Sequence, residues 1–237
     1  SHTMQVDPEF DELVNDRPRQ NRTEQGNFIN SPYRPVTTPF YMSQAVQPQQ
    51  HSLIEVFIEY FSSSGKDTLS SALRRYEQYY PHLREDIAER NLPIEVSVLP
   101  IVLSHCSTSR VQDNRAGLWQ IPSEMATELD LVINRYVDER LDYDLSTKAV
   151  LDYLADLESS LDDFNLMIAA YITGAPRVLS AIRECGTMDF WEIINASDFN
   201  QHAAEVVAQT HAILQIMSSP YTYGFDSVRF DLFPFYE

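Results

Sequence analysis

From His51 to Met217 apolar side chains recur at intervals of three and four, and no stretch alternates convincingly as a strand does. Leu53, Ile54, Val56, Phe57, Ile58 and Phe61 form the first such face, closed by Ser62-Ser63-Ser64-Gly65. Asp67 or Thr68 then caps a helix carrying Leu69, Leu73, Tyr76 and Tyr80. Pro81 marks its end or the start of the next, where Leu83, Ile87 and Leu92 keep the spacing. Asn91-Leu92-Pro93 starts a helix running from Ile94 to about Ser104, and Pro100 near its middle should bend it.

Residues 107–115 read as a polar loop, followed by Gly117-Leu118-Trp119-Gln120, and Pro122-Ser123-Glu124 starts or redirects another helix. Ser146-Thr147 can cap a helix of Val150, Leu151, Leu154, Leu157 and Leu161. Further helices are expected over about 166–171, 177–184 (stopped by Gly186) and 203–217, with Phe190-Trp191 anchoring a connection. The expected fold is therefore all-α. Residues 1–4 read as an expression scar, 5–50 as a Pro/Gln-rich extended tail, 51–224 as one helical domain and 225–237 as an aromatic tail. Phe28, Tyr33, Phe40 and Tyr41 give the first tail anchors for docking, on its own domain or on a partner.

With 43% apolar residues the chain can bury a substantial core, and 17 basic against 35 acidic residues give it a negative surface. Nucleic acid and anionic lipid headgroups become poor partners. Cys106 and Cys185 are too few for a disulfide framework and are not spaced as a metal pair, so both are expected to be inert thiols. No apolar run approaches the roughly 18 residues that span a bilayer. His105 beside Cys106 is sequence adjacency, which does not create catalytic geometry.

Several stretches, in order, carry a resemblance. They are Arg90-Asn91-Leu92-Pro93 with Leu99-Pro100-Ile101-Val102, then Ala116-Gly117-Leu118-Trp119-Gln120, then Tyr136-Val137-Asp138-Glu139-Arg140 with Asp142 and Ser146-Thr147. Ala169-Ala170-Tyr171, Gly174, Arg177-Val178, Ala181-Ile182, Asp189-Phe190-Trp191 and Tyr223-Gly224-Phe225 complete the series. From about Leu69 to Phe225 the chain resembles lytic transglycosylases of the goose-lysozyme-like, membrane-bound murein transglycosylase D type. The resemblance implies a lysozyme-like helical domain of the Gram-negative cell envelope, periplasmic or outer-membrane-associated, with a groove for peptidoglycan glycan strands. It implies no metal and no cofactor: one glutamic acid protonates the glycosidic oxygen and the substrate's own N-acetyl group assists. Such an acid must stay protonated near neutral pH, which desolvation achieves by raising its pKa.

On that alignment Leu103 stands at the family's Glu position and Ile172 at its Asn position. Pro176 replaces a Gly, His202 a Tyr and Asp198 a Glu, and the segment before Pro122 is one residue short. General acid assistance is typically worth about 10²- to 10⁴-fold, so a leucine there should abolish useful turnover. Ser104, Gln120 and Tyr171 remain as candidate glycan contacts, although core packing accounts for Tyr171 about as well and a solvated loop end for Gln120. Glu95 lies on the same expected helix as Leu103, roughly 12 Å away along its axis, and Asp113 and Glu124 flank the Trp119 loop. The expectation is a catalytically inactive transglycosylase-like protein that binds an envelope protein partner, peptidoglycan, or both. The alternatives are a divergent active enzyme with a relocated acid, and a decoy that occupies the target of an active relative.

Overall fold

The computed structural model describes residue 46, residues 48–196 and residues 199–225. Among these are nine α-helices, and short 3₁₀ turns link several of them. The helices are α1 (Ser52–Ser62), α2 (Lys66–Glu89), α3 (Leu99–Ser104), α4 (Ser123–Glu128), α5 (Tyr143–Leu161), α6 (Phe164–Thr173), α7 (Ala175–Cys185), α8 (Phe190–Ala196) and α9 (Gln201–Ser218). The all-α expectation holds for the body of the domain. It misses one small antiparallel sheet, β1 (Val111–Gln112), β2 (Arg115–Ala116) and β3 (Ile121–Pro122), paired in sequence order. Strands of two residues are too short to display an alternating pattern, so the sequence carries no trace of them.

Several helix starts follow from short polar side chains that accept the orphan amides of the first turn, whereas α2 starts after Gly65 with no side-chain cap from the expected Asp67 or Thr68. Asp142 accepts from Leu145 N at 2.9 Å, Asp163 from Leu166 N at 2.9 Å and Asn200 from Ala203 N at 3.0 Å. Gly186, with φ of 67°, ends α7 in the left-handed conformation that glycine adopts without strain. Asp142, rather than Ser146 or Thr147, caps α5, so those two residues lie inside the helix and are buried. The helix therefore begins several residues earlier than the hydroxyl pair suggested.

Two prolines also act differently from expectation. Pro81 sits inside α2, which runs unbroken from Lys66 to Glu89. An interior proline costs about 3 kcal/mol. Leu73, Tyr76, Tyr80, Leu83 and Ile87 share the buried face of that helix, and burying each side chain gains roughly 1.5–3 kcal/mol. Pro100 occupies the first turn of α3, after a 3₁₀ helix over Ile94–Val98, where its missing N–H forfeits no intrahelical bond. The expected single bent helix is thus two helices of different pitch.

The core is built around α6 and α9. Every residue of α6 from Phe164 to Ile172 is buried, as are twelve residues of α9 between Ala203 and Met217. α6 is covered on nearly all sides, whereas α9 leaves Gln201, Glu205, Gln209 and Gln215 along a side that is not buried. α9 packs on α1, α6 and α3, and α6 on α5 and α7. Two buried polar pairs sit within this packing. His211 Nε2 lies 2.7 Å from Asn165 Oδ1, and the Tyr76 hydroxyl lies 2.7 Å from Ser97 Oγ.

The described end of the N-terminal tail docks on the domain. Val46 is buried, Gln49 O accepts from Gln215 Nε2 at 3.0 Å, and Gln49 Oε1 accepts from Trp191 Nε1 at 3.2 Å. Phe28, Tyr33, Phe40 and Tyr41 lie outside the described residues. Phe225 is buried, with Lys66 Nζ 5.5 Å from its ring centroid, so the aromatic at the expected start of the C-terminal tail packs with the domain.

Candidate functional site

The site is a corner where α3 ends and the three-stranded sheet begins. α3 closes on His105 and Cys106, both with φ of 56°, and this left-handed pair turns the chain sharply toward β1. Ser104 Oγ donates to Pro100 O at 3.1 Å and accepts from Ser107 N at 3.2 Å, so its hydroxyl fastens the corner from inside.

Trp119 holds the far side of the corner. Its side chain is fully buried, and Nε1 donates to Thr147 Oγ1 on α5 at 3.0 Å. Its carbonyl accepts from the Tyr171 hydroxyl on α6 at 2.7 Å. Burial raises the Tyr171 phenol well above its ordinary value, which keeps it a donor at all relevant pH. Gln120, at φ of 50°, is also buried rather than a solvated loop end: Nε2 donates to Gly117 O at 2.9 Å and to Arg110 O at 3.1 Å. Sheet and helices are joined beneath it by Arg140. Nη1 donates to Asn114 O at 2.9 Å and Ile121 O at 3.0 Å, and Nε and Nη2 bind both oxygens of Asp138 at 2.9 and 2.7 Å. These hydrogen bonds hold the Asp138 carboxyl below the usual carboxylate range.

The polar side-chain atoms of Ser104, Gln120 and Tyr171, the candidate glycan contacts, are engaged within the protein. Leu103 lies in the last turn of α3, half-buried against the core, and Ile172 is buried near the end of α6. Glu95 is completely buried in the 3₁₀ helix preceding α3. Glu124 is exposed and accepts from Asn114 Nδ2 at 2.9 Å. Asp113 is exposed and lies 3.3 Å from Gln112 Nε2.

Outside the corner an open hollow of about 530 Å³ is lined by Arg75, Ser104, His105, Ser107, Arg110, Val111 and Gln112. None of these side chains is a carboxyl. Arg75 Nε donates to His105 O at 2.8 Å, and Arg110 donates through Nη2 to Gln112 Oε1 at 2.6 Å and through Nη1 to His105 Nδ1 at 3.3 Å. Because arginine only donates, His105 Nδ1 is the acceptor and the ring proton resides on Nε2. Desolvation, and then the two guanidinium groups, lower the His105 pKa and favour this neutral form. The hollow can bind acceptors and anions; it contains nothing that donates a proton as a carboxylic acid does. Sequence reasoning missed Arg75 and Arg110 as site residues, since Arg75 reaches His105 from thirty positions away and no spacing announces it.

Residues 96–194 match the family model of the transglycosylase SLT domain. The chain is 31% identical over 153 residues to membrane-bound lytic murein transglycosylase D of Escherichia coli (strain K12), an overlap of 61% of this chain and 33% of that protein. The same protein from Escherichia coli O6:H1 matches equally. A putative tributyltin chloride resistance protein of Alteromonas sp. (strain M-1) is 34% identical over 110 residues, 46% of this chain and 53% of that one. The chain thus spans about a third of the length of the Escherichia coli relatives it matches, and about half of the Alteromonas one. The matched segment contains α3, the sheet, Trp119, Arg140 and Tyr171, the parts from which the corner is built. The segment that builds this corner, residues 96–194, is thus similar to a transglycosylase SLT domain.

Proposed function

We propose that this domain binds where its relatives cleave: it is a transglycosylase-like pseudoenzyme that engages a protein of the bacterial cell envelope, the glycan strands of peptidoglycan, or both. The observation that carries this reading is Leu103, an aliphatic side chain packed on the core at the end of α3, where the resemblance puts a proton donor. Glycoside cleavage needs its leaving group neutralised, and leucine supplies no proton. Neither Glu95, buried in the 3₁₀ helix before α3, nor the exposed Asp113 and Glu124 line the adjoining hollow. The proposed glycan contacts remain Ser104, Gln120 and Tyr171, whose side chains are held by internal hydrogen bonds. The names of the Escherichia coli relatives, membrane-bound lytic murein transglycosylases, support work at the cell envelope, and the location proposed here is the periplasm or the outer membrane of a Gram-negative bacterium. No described helix is long and apolar enough to cross a membrane.

The test is digestion of purified sacculi across acid and neutral pH. No anhydro-muropeptides are expected, and their release would overturn the inactive reading in favour of a relocated acid. Leu103→Glu sharpens the result: restored cleavage would show that only the acid was lost, whereas a stability loss without cleavage would show a carboxyl buried in a rebuilt groove. Retention on sacculi, measured beside an active homologue, separates glycan from protein as the ligand.

A further inference from the structure

The hollow at the end of α3 concentrates positive charge in a chain of formal net charge −18. Among the described residues neither Arg75 nor Arg110 forms an ion pair, although Arg90, Arg140 and Lys148 each do. The Arg110 Nε–H is buried and has no hydrogen-bond partner there. Both guanidinium groups are nevertheless held in place. His105 O fixes Arg75 through Nε, while Gln112 Oε1 and His105 Nδ1 fix Arg110 through its Nη atoms.

We infer that the hollow is a carboxylate-binding site. This rests on the reading that the domain engages peptidoglycan, and the ligand it then fits is a free carboxylate of the wall's peptide stems. Planar donor forks held in fixed orientation match a carboxylate in geometry and charge. A neutral sugar hydroxyl needs acceptors as well as donors, and the acceptors here are largely used: His105 Nδ1 and Gln112 Oε1 face Arg110, and Ser104 Oγ already takes the Ser107 amide. Asp113 beyond Gln112 is the nearest acidic residue in sequence, and it contacts Gln112 Nε2 rather than either arginine. The overall negative charge of the chain disfavours diffuse anion binding, so an anion taken up here is held by local geometry.

The full chain is titrated by calorimetry with a synthetic muramyl peptide bearing free carboxylates and with the same peptide fully amidated. Retention is measured in parallel on intact sacculi and on glycan strands stripped of their stems by an amidase. The free acid is expected to bind at least tenfold more tightly than the amide. Arg110→Gln should erase that difference while leaving the thermal midpoint and circular dichroism spectrum near wild type, and Arg110→Lys should keep part of it. Arg75→Gln should act likewise; should that variant lose the α3 corner, Arg110→Gln decides alone. Equal affinity for the two peptides, or an unchanged preference in Arg110→Gln, overturns the inference. Stripped strands retained as well as intact sacculi would overturn it while leaving glycan binding in place. Binding of the free-acid peptide with no retention of stripped strands would support it and remove the glycan groove from the proposed function. Failure to bind either peptide or either wall preparation overturns both and leaves the protein partner.

Discussion

The Tyr171 hydroxyl donates to the Trp119 carbonyl at 2.7 Å across fifty-two positions of sequence, tying α6 to the loop that leads into β3. Both residues are buried, so Tyr171→Phe leaves that carbonyl without its donor. A loss of about 1–3 kcal/mol in unfolding free energy is expected, read by urea denaturation with an unchanged m-value. If Tyr171 were chiefly a ligand contact, the variant would instead weaken binding and leave stability near wild type.

Among the described glycines, Gly117 is the least tolerant of a side chain. Its φ is +81°, and a Cβ would stand 1.8 Å from the Arg140 carbonyl oxygen. Gly117→Ala must therefore move backbone as well as adopt a strained conformation, and about 3 kcal/mol or more of destabilisation is expected. A thermal midpoint within a degree or two of wild type would mean the loop yields at little cost.

His211 sets a pH dependence. Burial lowers its pKa to about 4 in the folded protein, against 6.5 when exposed. Below the unfolded value the unfolded chain takes up a proton that the native ring resists, so stability falls as pH drops from about 6.5 toward 4 and levels off beneath. By linkage the total is about 3 kcal/mol. Asp86 and Asp156, both raised mainly by desolvation, favour the folded state in the acid direction, so the comparison must be with His211→Gln. That variant should show a shallower decline over the same interval. Parallel curves would place the dependence elsewhere.

The two thiols should react on different timescales. Both are unpaired; Cys106 is buried, and desolvation pushes its thiol well above the ordinary range, while Cys185 is partly exposed. Under native conditions a thiol-specific chromogenic reagent should modify one cysteine promptly and the second only at the rate of opening or unfolding. Cys185→Ser should remove the prompt phase. Two prompt thiols would contradict the burial of Cys106.

Most of the helical frame is legible in sequence because its causes are local: three-and-four spacing of apolar residues, and the stop at Gly186. What escaped was decided by groups distant in the chain. The α2 helix carries Pro81 because its buried face continues through Leu83 and Ile87. Ser146 and Thr147 have the chemistry of caps, yet Trp119 claims the Thr147 hydroxyl and Asp142 starts the helix. Gln120 carries every mark of a loop residue and is buried because the carbonyls of Arg110 and Gly117 take its amide. At the site, the family's motif residues can be read directly. The hollow cannot, since Arg75 comes from the middle of α2 and meets His105 only after folding.

The pairing of α1 with α9 has a consequence for how the protein is made. The first described helix finds its principal cover in the last long one, and Gln49 is bonded to Gln215 across 166 positions. On the ribosome, the apolar face of α1 that includes Ile54 and Phe61 emerges early and waits for nearly the whole domain to follow. A nascent chain halted before residue 201 has every helix from α1 to α8 but lacks the one around which they close, and its sticky surface is that of an unfinished product rather than a smaller domain.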